Sequence, residues 1–128
     1  MAGGKLPPSR QTNRGEVFTL SGDAFGSGRA SLTGSAAGSL KALATYIAAA
    51  PTGAIVIEGH TDSQGKADAN RKLSQQRAEA VKDALVAGSV PASSIKASGR
   101  GSAQPVADNK TAGGRARNRR VEITIGRK

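Results

Sequence analysis

The sequence predicts an α+β fold, an α/β sandwich in which a mixed four-stranded sheet carries two long helices in the order β-α-β-α-β-(α)-β. Three observations predict it. Residues 54–57 form an apolar, largely β-branched run without alternation, as expected of a strand covered on both faces in a mostly parallel sheet. Two segments, around residues 40–48 and 68–86, repeat apolar residues at helical spacing. Near the end, Val121, Ile123 and Ile125 alternate with Glu122 and Thr124, which reads as a half-exposed final strand. There is no internal repeat.

At 128 residues the chain suits one domain that buries somewhat under ~70% of its unfolded surface. Its core has to be small-grained. Hydrophobic residues make up 37% of the chain, but Phe18, Phe25 and Tyr46 are its only aromatics, so burial falls to Ala, Val, Ile and Leu. Cysteine is absent, which excludes disulfides and thiolate metal sites. No apolar run is long enough for a membrane helix. The formal net charge of +10 favours anionic partners. Nucleic acid is a poor match, because scattered aromatics provide no stacking platform for single strands; an anionic cell-wall polymer suits the charge as well. No cofactor is expected.

Taken in order, residues 1–14 hold Gly3, Gly4, Pro7 and Pro8 with basic residues and no acid. Without periodicity they read as a flexible tail or stem remnant, and the domain is expected over residues 15–126. Residues 16–20 alternate as a short strand. A glycine-rich loop over 22–28 follows, whose glycines let backbone approach a ligand closely. Leu40, Leu43, Ala44, Ile47 and Ala48 form the apolar stripe of a first helix, ended by Pro51 and Gly53; Tyr46 on it reads as a packing residue. After the 54–57 strand and a polar loop comes the second helix. Its apolar positions include Leu73, Ala80, Val81, Ala84 and Leu85, and Gly88 and Pro91 stop it. Residues 95–98 read as a strand, 99–110 as a loop and 112–118 as a short helix before the last strand.

The chemistry concentrates in residues 55–78, I-V-I-E-G-H-T-D-S-Q-G-K-A-D-A-N-R-K-L-S-Q-Q-R-A. Asp62 falls just past the carboxyl end of the expected strand, where ligands bind in open α/β sheets. Arg77 shares the buried stripe of positions 73, 81 and 85. A buried charge needs a partner, since removing one member of a buried pair costs roughly 3 to 5 kcal/mol, and the nearest expected anion is Asp62. Spacing alone leaves two readings open: an Asp62/Arg77 ligand pocket, or a structural salt bridge tying loop to helix. His60 is the sole histidine, with no cysteine near it. That is too small a ligand set for a transition metal, so His60 reads as a satisfied structural histidine and no metal site is expected. Glu58, His60 and Asp62 alternate without a nucleophile-elbow motif, which argues against a serine-type triad. Gly99-x-Gly101 lacks the following glycine of a dinucleotide fingerprint. Arg115, Arg117, Arg119 and Arg120 read first as a solvated basic face.

The string G-H-T-D-x-x-G from Gly59 to Gly65, followed by Asn70 and by Leu73-Ser74-x-x-Arg77-Ala78, resembles the signature of the OmpA-like peptidoglycan-binding domain. Gly99-Arg100-Gly101, Gln104-Pro105, Asn109, Thr111, Gly114-Arg115 and Asn118-Arg119-Arg120-Val121-Glu122 resemble that family's C-terminal half. Residues 10–20 and 25–32 are similar to its entry strand and first loop. One departure concerns that loop: the family often places an acidic or asparagine residue and a second aromatic where Gly26, Ser27 and Gly28 stand, which leaves backbone amides as its contribution.

The resemblance implies a non-catalytic domain that binds peptidoglycan through the diaminopimelate residue of the stem peptide. It would tether an outer-membrane or otherwise envelope-anchored protein to the cell wall from the periplasm, without inserting into the membrane itself. Carried over to this sequence, Asp62 would take the ligand's ammonium and Arg77 its carboxylate. Thr61 and Asn70 would add neutral hydrogen bonds, Leu73 would pack beneath, Gly28 would offer backbone, and Arg119 would reach a carboxylate at the rim. The alternative is a protein-protein interaction module of an envelope complex that uses the basic face instead.

Overall fold

A computed structural model describes residues 4–26, 28–49 and 52–127. The chain runs β1 (Ser9–Thr12), β2 (Gly15–Ser21), α1 (Gly34–Ala48), β3 (Ile55–His60), α2 (Ala67–Ala87), β4 (Ile95–Gly99), α3 (Ala112–Asn118) and β5 (Arg120–Ile125), with single 3-10 turns at Gly22–Ala24 and Ala92–Ser94. All strands join one sheet in the order β1-β2-β5-β3-β4. The expected α+β architecture is present, and the strand count is corrected from four to five. The added strand, β1, lies inside the segment read as a tail. It pairs antiparallel with β2, Ser9 opposite Phe18 through Thr12 opposite Gly15. Its side chains are exposed or half-buried, so it leaves no hydrophobic period to read. Backbone pairing holds it, with Ser9 Oγ donating to Glu16 Oε2 at 2.8 Å and Arg127 donating to the Thr12 carbonyl at 3.1 Å.

Two further expectations change. The sheet is mostly antiparallel, and only β3 and β4 run parallel. The last strand is not a half-exposed one either: β5 sits between β2 and β3, and all its residues but Glu122 are buried. Of the 54–57 run, residues 55–57 form the first half of β3, whose later residues Glu58, Gly59 and His60 pair with Glu122, Val121 and Arg120.

Alternate strand residues meet the helices on one face of the sheet. Phe18 and Leu20 of β2, Ile55 and Ile57 of β3, Ile95 of β4 and Val121, Ile123 and Ile125 of β5 join Leu40, Leu43 and Ile47 of α1 and Ala78, Val81 and Leu85 of α2 in one core. Burying each of the larger aliphatic side chains contributes about 1.5–3 kcal/mol. Thr33 caps α1 by accepting from the Ala36 amide at 3.2 Å. That helix ends at Ala48; of its expected terminators, Pro51 lies outside the described residues. Tyr46 packs as expected, its ring edge-on to Phe18 at 5.6 Å, while its hydroxyl donates to Glu16 Oε1 at 2.6 Å.

Helix α2 lies unusually close to the ends of β3 and β4. A Cβ on Gly59 would stand 2.2 Å from the Ser74 carbonyl oxygen, and one on Gly99 2.3 Å from the Gln75 nitrogen. Polar bonds clamp the same seam: Gln75 Oε1 accepts from the Gly99 amide at 2.7 Å, and Ser74 Oγ accepts from the Gly101 amide at 3.0 Å. The clamp fixes the next turn of α2, which carries Arg77.

Candidate functional site

A cleft of about 340 Å³ opens beside this seam, lined by Gly22, Asp23, Phe25, Gly28, Arg77 and Arg119. Arg77 is 5% exposed, as its place on the α2 stripe requires. The expected ion pair with Asp62 is corrected: Arg77 Nε donates to the Arg29 carbonyl at 2.8 Å, and Nη2 reaches the Gly26 carbonyl at 3.4 Å. Its guanidinium lies 4.8 Å above the Phe25 ring centroid, a cation–π contact that gains strength when desolvated. Two carbonyl dipoles and a π face therefore take the place of a counter-ion. Burial lowers the Arg77 pKa first, and the positive charge of Arg119 adds to the effect.

Asp62 instead pairs with Arg119, Nη1 to Oδ2, at 2.6 Å. Its other oxygen, Oδ1, accepts from the Gln64 amide at 2.9 Å. Arg119 can reach it because α3 ends at Asn118 and Arg119 turns out of helical geometry as the C-cap. That helix is anchored at both ends. Thr111 Oγ1 accepts from the Gly114 amide at 2.9 Å, and the fully buried Asn118 accepts from the Val106 and Ala107 amides while donating to the Ala107 carbonyl and Asn109 Oδ1. The cleft thus presents two guanidiniums facing a shared space, with Asp62 behind one of them.

The other named residues fall into two groups. Gly28 lines the cleft in a left-handed conformation, φ +65, with open space where a Cβ would lie. This loop gives Arg77 the Gly26 and Arg29 carbonyl oxygens, while the Gly26 amide donates to the Ser31 carbonyl at 3.3 Å. Thr61, Asn70 and Leu73 are not among the cleft's walls. Thr61 is buried and donates from Oγ1 to the Asp62 carbonyl at 3.0 Å. Asn70 donates to the Gln64 carbonyl at 2.7 Å and the Asp62 carbonyl at 3.4 Å, so both residues shape the loop that carries Asp62. Leu73 is half-buried on α2. Sequence reasoning gave no role to Phe25, the platform under Arg77, or to Asn118, the organiser of the segment before α3. An aromatic in a glycine-rich loop and an amide at the end of α3 were the available signals.

His60 is not satisfied as expected. It is 2% exposed, and neither ring nitrogen has a hydrogen-bond partner among the described residues. Its donors lie within 4.8 Å of those of Glu58 and Glu122, a grouping of three that pairing across β3 and β5 creates. Both carboxylates are already met by arginines: Arg100 donates to Glu58 at 3.0 Å and Arg120 to Glu122 at 2.7 Å. A cation there would face these guanidiniums, and we assign none. Arg120 also leaves the expected solvated basic face. It is buried and donates to the Asn118 and Gln104 carbonyls as well. On the same outer face a second groove of about 530 Å³ runs past Arg10, Arg117, Arg119 and Arg120.

The fold is thus a mixed sheet with helices on one face and, where β2 ends and β5 begins, a cleft walled by two arginines and Asp23. The sequence profile of the OmpA family matches residues 24–119, and the chain belongs to that family. It is 46% identical over 101 residues to the probable lipoprotein YiaD of Escherichia coli (strain K12), an alignment covering 79% of this chain and 46% of that protein. It is 43% identical over 102 residues to the peptidoglycan-binding protein ArfA of Mycobacterium tuberculosis, covering 80% and 31%. The chain thus spans less than half the length of either relative. Among solved structures, the cell wall anchor of the T6SS from Pseudomonas aeruginosa matches with a TM-score of 0.85 at 35% identity, over 94% of this chain and 87% of that one. The periplasmic domain of Helicobacter pylori MotB matches with a TM-score of 0.82 at 22% identity, over 97% and 83%, a likeness of fold.

Proposed function

We propose that this chain is a non-catalytic domain that binds peptidoglycan through the diaminopimelate residue of the stem peptide, and so tethers an outer-membrane or other envelope protein to the cell wall from the periplasm. The observation that carries the reading is the cleft itself, lined by the guanidiniums of Arg77 and Arg119, with the Asp62 carboxylate paired to Arg119. Diaminopimelate ends in an ammonium and a carboxylate on one carbon. Asp62 accepts from the ammonium, and Arg77 donates to the carboxylate, with Arg119 as a second donor at the rim. Gly28 leaves the approach open, while Thr61 and Asn70 act indirectly by holding the Asp62 loop. The names of ArfA and of the T6SS cell wall anchor support the same partner.

Asp62→Ala tests this reading. The residue sits in a loop beyond β3, so the fold survives while the ammonium loses its counter-charge, and co-sedimentation with purified sacculi nearly disappears. A variant with an unchanged circular dichroism spectrum that sediments like wild type at moderate salt would sink the assignment. The second reading, a protein-protein interaction module of an envelope complex, draws on the basic groove across the outer face.

A further inference from the structure

In the free protein the groups needed for a zwitterion are not equally available. Both Asp62 oxygens are engaged, one by the Gln64 amide and one by Arg119, and its side chain is 9% exposed. Asp62 is not a wall of the cleft, whereas Arg119 is. The cleft's own carboxylate, Asp23, is exposed and takes the Ser21 hydroxyl at Oδ1, so an ammonium bound for the buried Asp62 has to displace Arg119. The two arginines also differ in freedom: Arg77 is pinned by the Arg29 carbonyl and the Phe25 ring, while the Arg119 side chain is 43% exposed.

From this asymmetry we infer that Arg119 is the specificity-determining residue of the cleft: it occupies Asp62 in the free state and yields it only to a ligand that brings its own carboxylate. The inference rests on the diaminopimelate reading above. With a zwitterionic head, the ligand's ammonium replaces Arg119 at Asp62, and its carboxylate receives both Arg119 and Arg77, so every charge ends with a partner. With a ligand that is only cationic, such as the lysine side chain of a lysine-type stem peptide, the same displacement strips Arg119 of its anion and supplies none in return. The site exchanges partners and rejects a bare cation. Arg77 alone would favour a carboxylate but would place no penalty on an amine reaching Asp62.

Calorimetric titration with matched muropeptides that differ only at the third residue, diaminopimelate or lysine, separates the possibilities. Wild type favours the diaminopimelate form by about one to two decades, the scale of leaving a charged group unpaired. Arg119→Gln frees Asp62 and removes one carboxylate donor, so affinity for the lysine form rises, affinity for the diaminopimelate form falls, and the preference shrinks about tenfold or more. Arg119→Lys, which keeps a cation beside Asp62, retains most of the preference. Thermal midpoints near wild type confirm that both variants are folded. An Arg119→Gln variant whose affinity for the lysine form is unchanged or lower overturns the exchange, as does a wild type that binds both forms equally. Asp62→Ala in the same titrations keeps the two levels apart. If it binds the diaminopimelate form like wild type, the underlying reading fails; if it loses binding while Arg119→Gln keeps wild-type selectivity, only the exchange fails.

Discussion

His60 lies on the outer face of β3 among Glu58, Glu122, Arg100 and Arg120, with both ring nitrogens unpartnered. Burial lowers its pKa first and the Arg120 charge lowers it further, against the opposing pull of Glu122 and Glu58. The folded pKa is thus below the unfolded one, so the unfolded chain takes up the proton first. Stability is fully present above about pH 6.5 and declines as pH falls toward the folded value. Glu122 acts in a lower window. Burial pushes its carboxyl up, but the hydrogen bond and charge of Arg120 outweigh it and leave the pKa below the usual value, so that stability is lost only as pH falls below about 4.5. His60→Leu should therefore narrow the gap in unfolding free energy between about pH 7.5 and pH 5, measured by denaturant titration. A gap as wide as wild type would assign that slope to another group. At this scale the sequence exposed Asp62 and Arg77 through a strand end and a helical stripe. It could not expose the partner of Asp62, because Arg119 arrives from 57 residues downstream and only the turn after α3 brings it there. The orphaned imidazole was equally hidden, since a register across two strands creates its surroundings.

The seam between α2 and the ends of β3 and β4 is the element-level feature on which the cleft depends. Gly59→Ala forces a methyl group to 2.2 Å from the Ser74 carbonyl oxygen, which backbone cannot accommodate without moving the helix. Overpacking of this kind costs typically 1–3 kcal/mol and occasionally more. Because Arg77 follows Ser74 by one turn, the thermal midpoint and diaminopimelate affinity should fall together. A drop in midpoint with full affinity would show that the cleft tolerates displacement of α2. Both long helices were readable, since apolar residues at helical spacing coincide with clear stops; Gly88, for example, donates its amide to the Ala84 and Leu85 carbonyls. Strand β1 was not readable, because a strand held mainly by backbone bonds has no side-chain signature. The position of β5 was misjudged for a related reason. Its Arg120 and Glu122 look solvent-facing in sequence, yet they pair with each other on the outer face, Arg120 buried and Glu122 half-buried.

Over the whole molecule, the net charge of +10 draws the domain toward any polyanion, and the cleft must be distinguished from that background. Arg117 lines the outer groove and Arg115 is tied to the Asn109 carbonyl; neither lines the cleft. Reversing both charges, Arg115→Glu with Arg117→Glu, should leave sacculus sedimentation largely intact at moderate salt and weaken it at low salt, where the Debye length exceeds about 10 Å. A loss at moderate salt as deep as that of Asp62→Ala would favour the basic face as the working surface. The β1–β2 hairpin bears on a different property, the response to tension. For a load entering through the residues before Ser9 while the cleft is held, β1 opens from the Ser9–Phe18 pair toward Thr12–Gly15, one pair at a time, as a zip opens. Each freed residue pays out about 3.3 Å of slack, while β3, bonded on both sides, and the clamped α2 stay seated. The hairpin is in that sense a shock absorber: it lengthens before the full pull reaches β3 and α2.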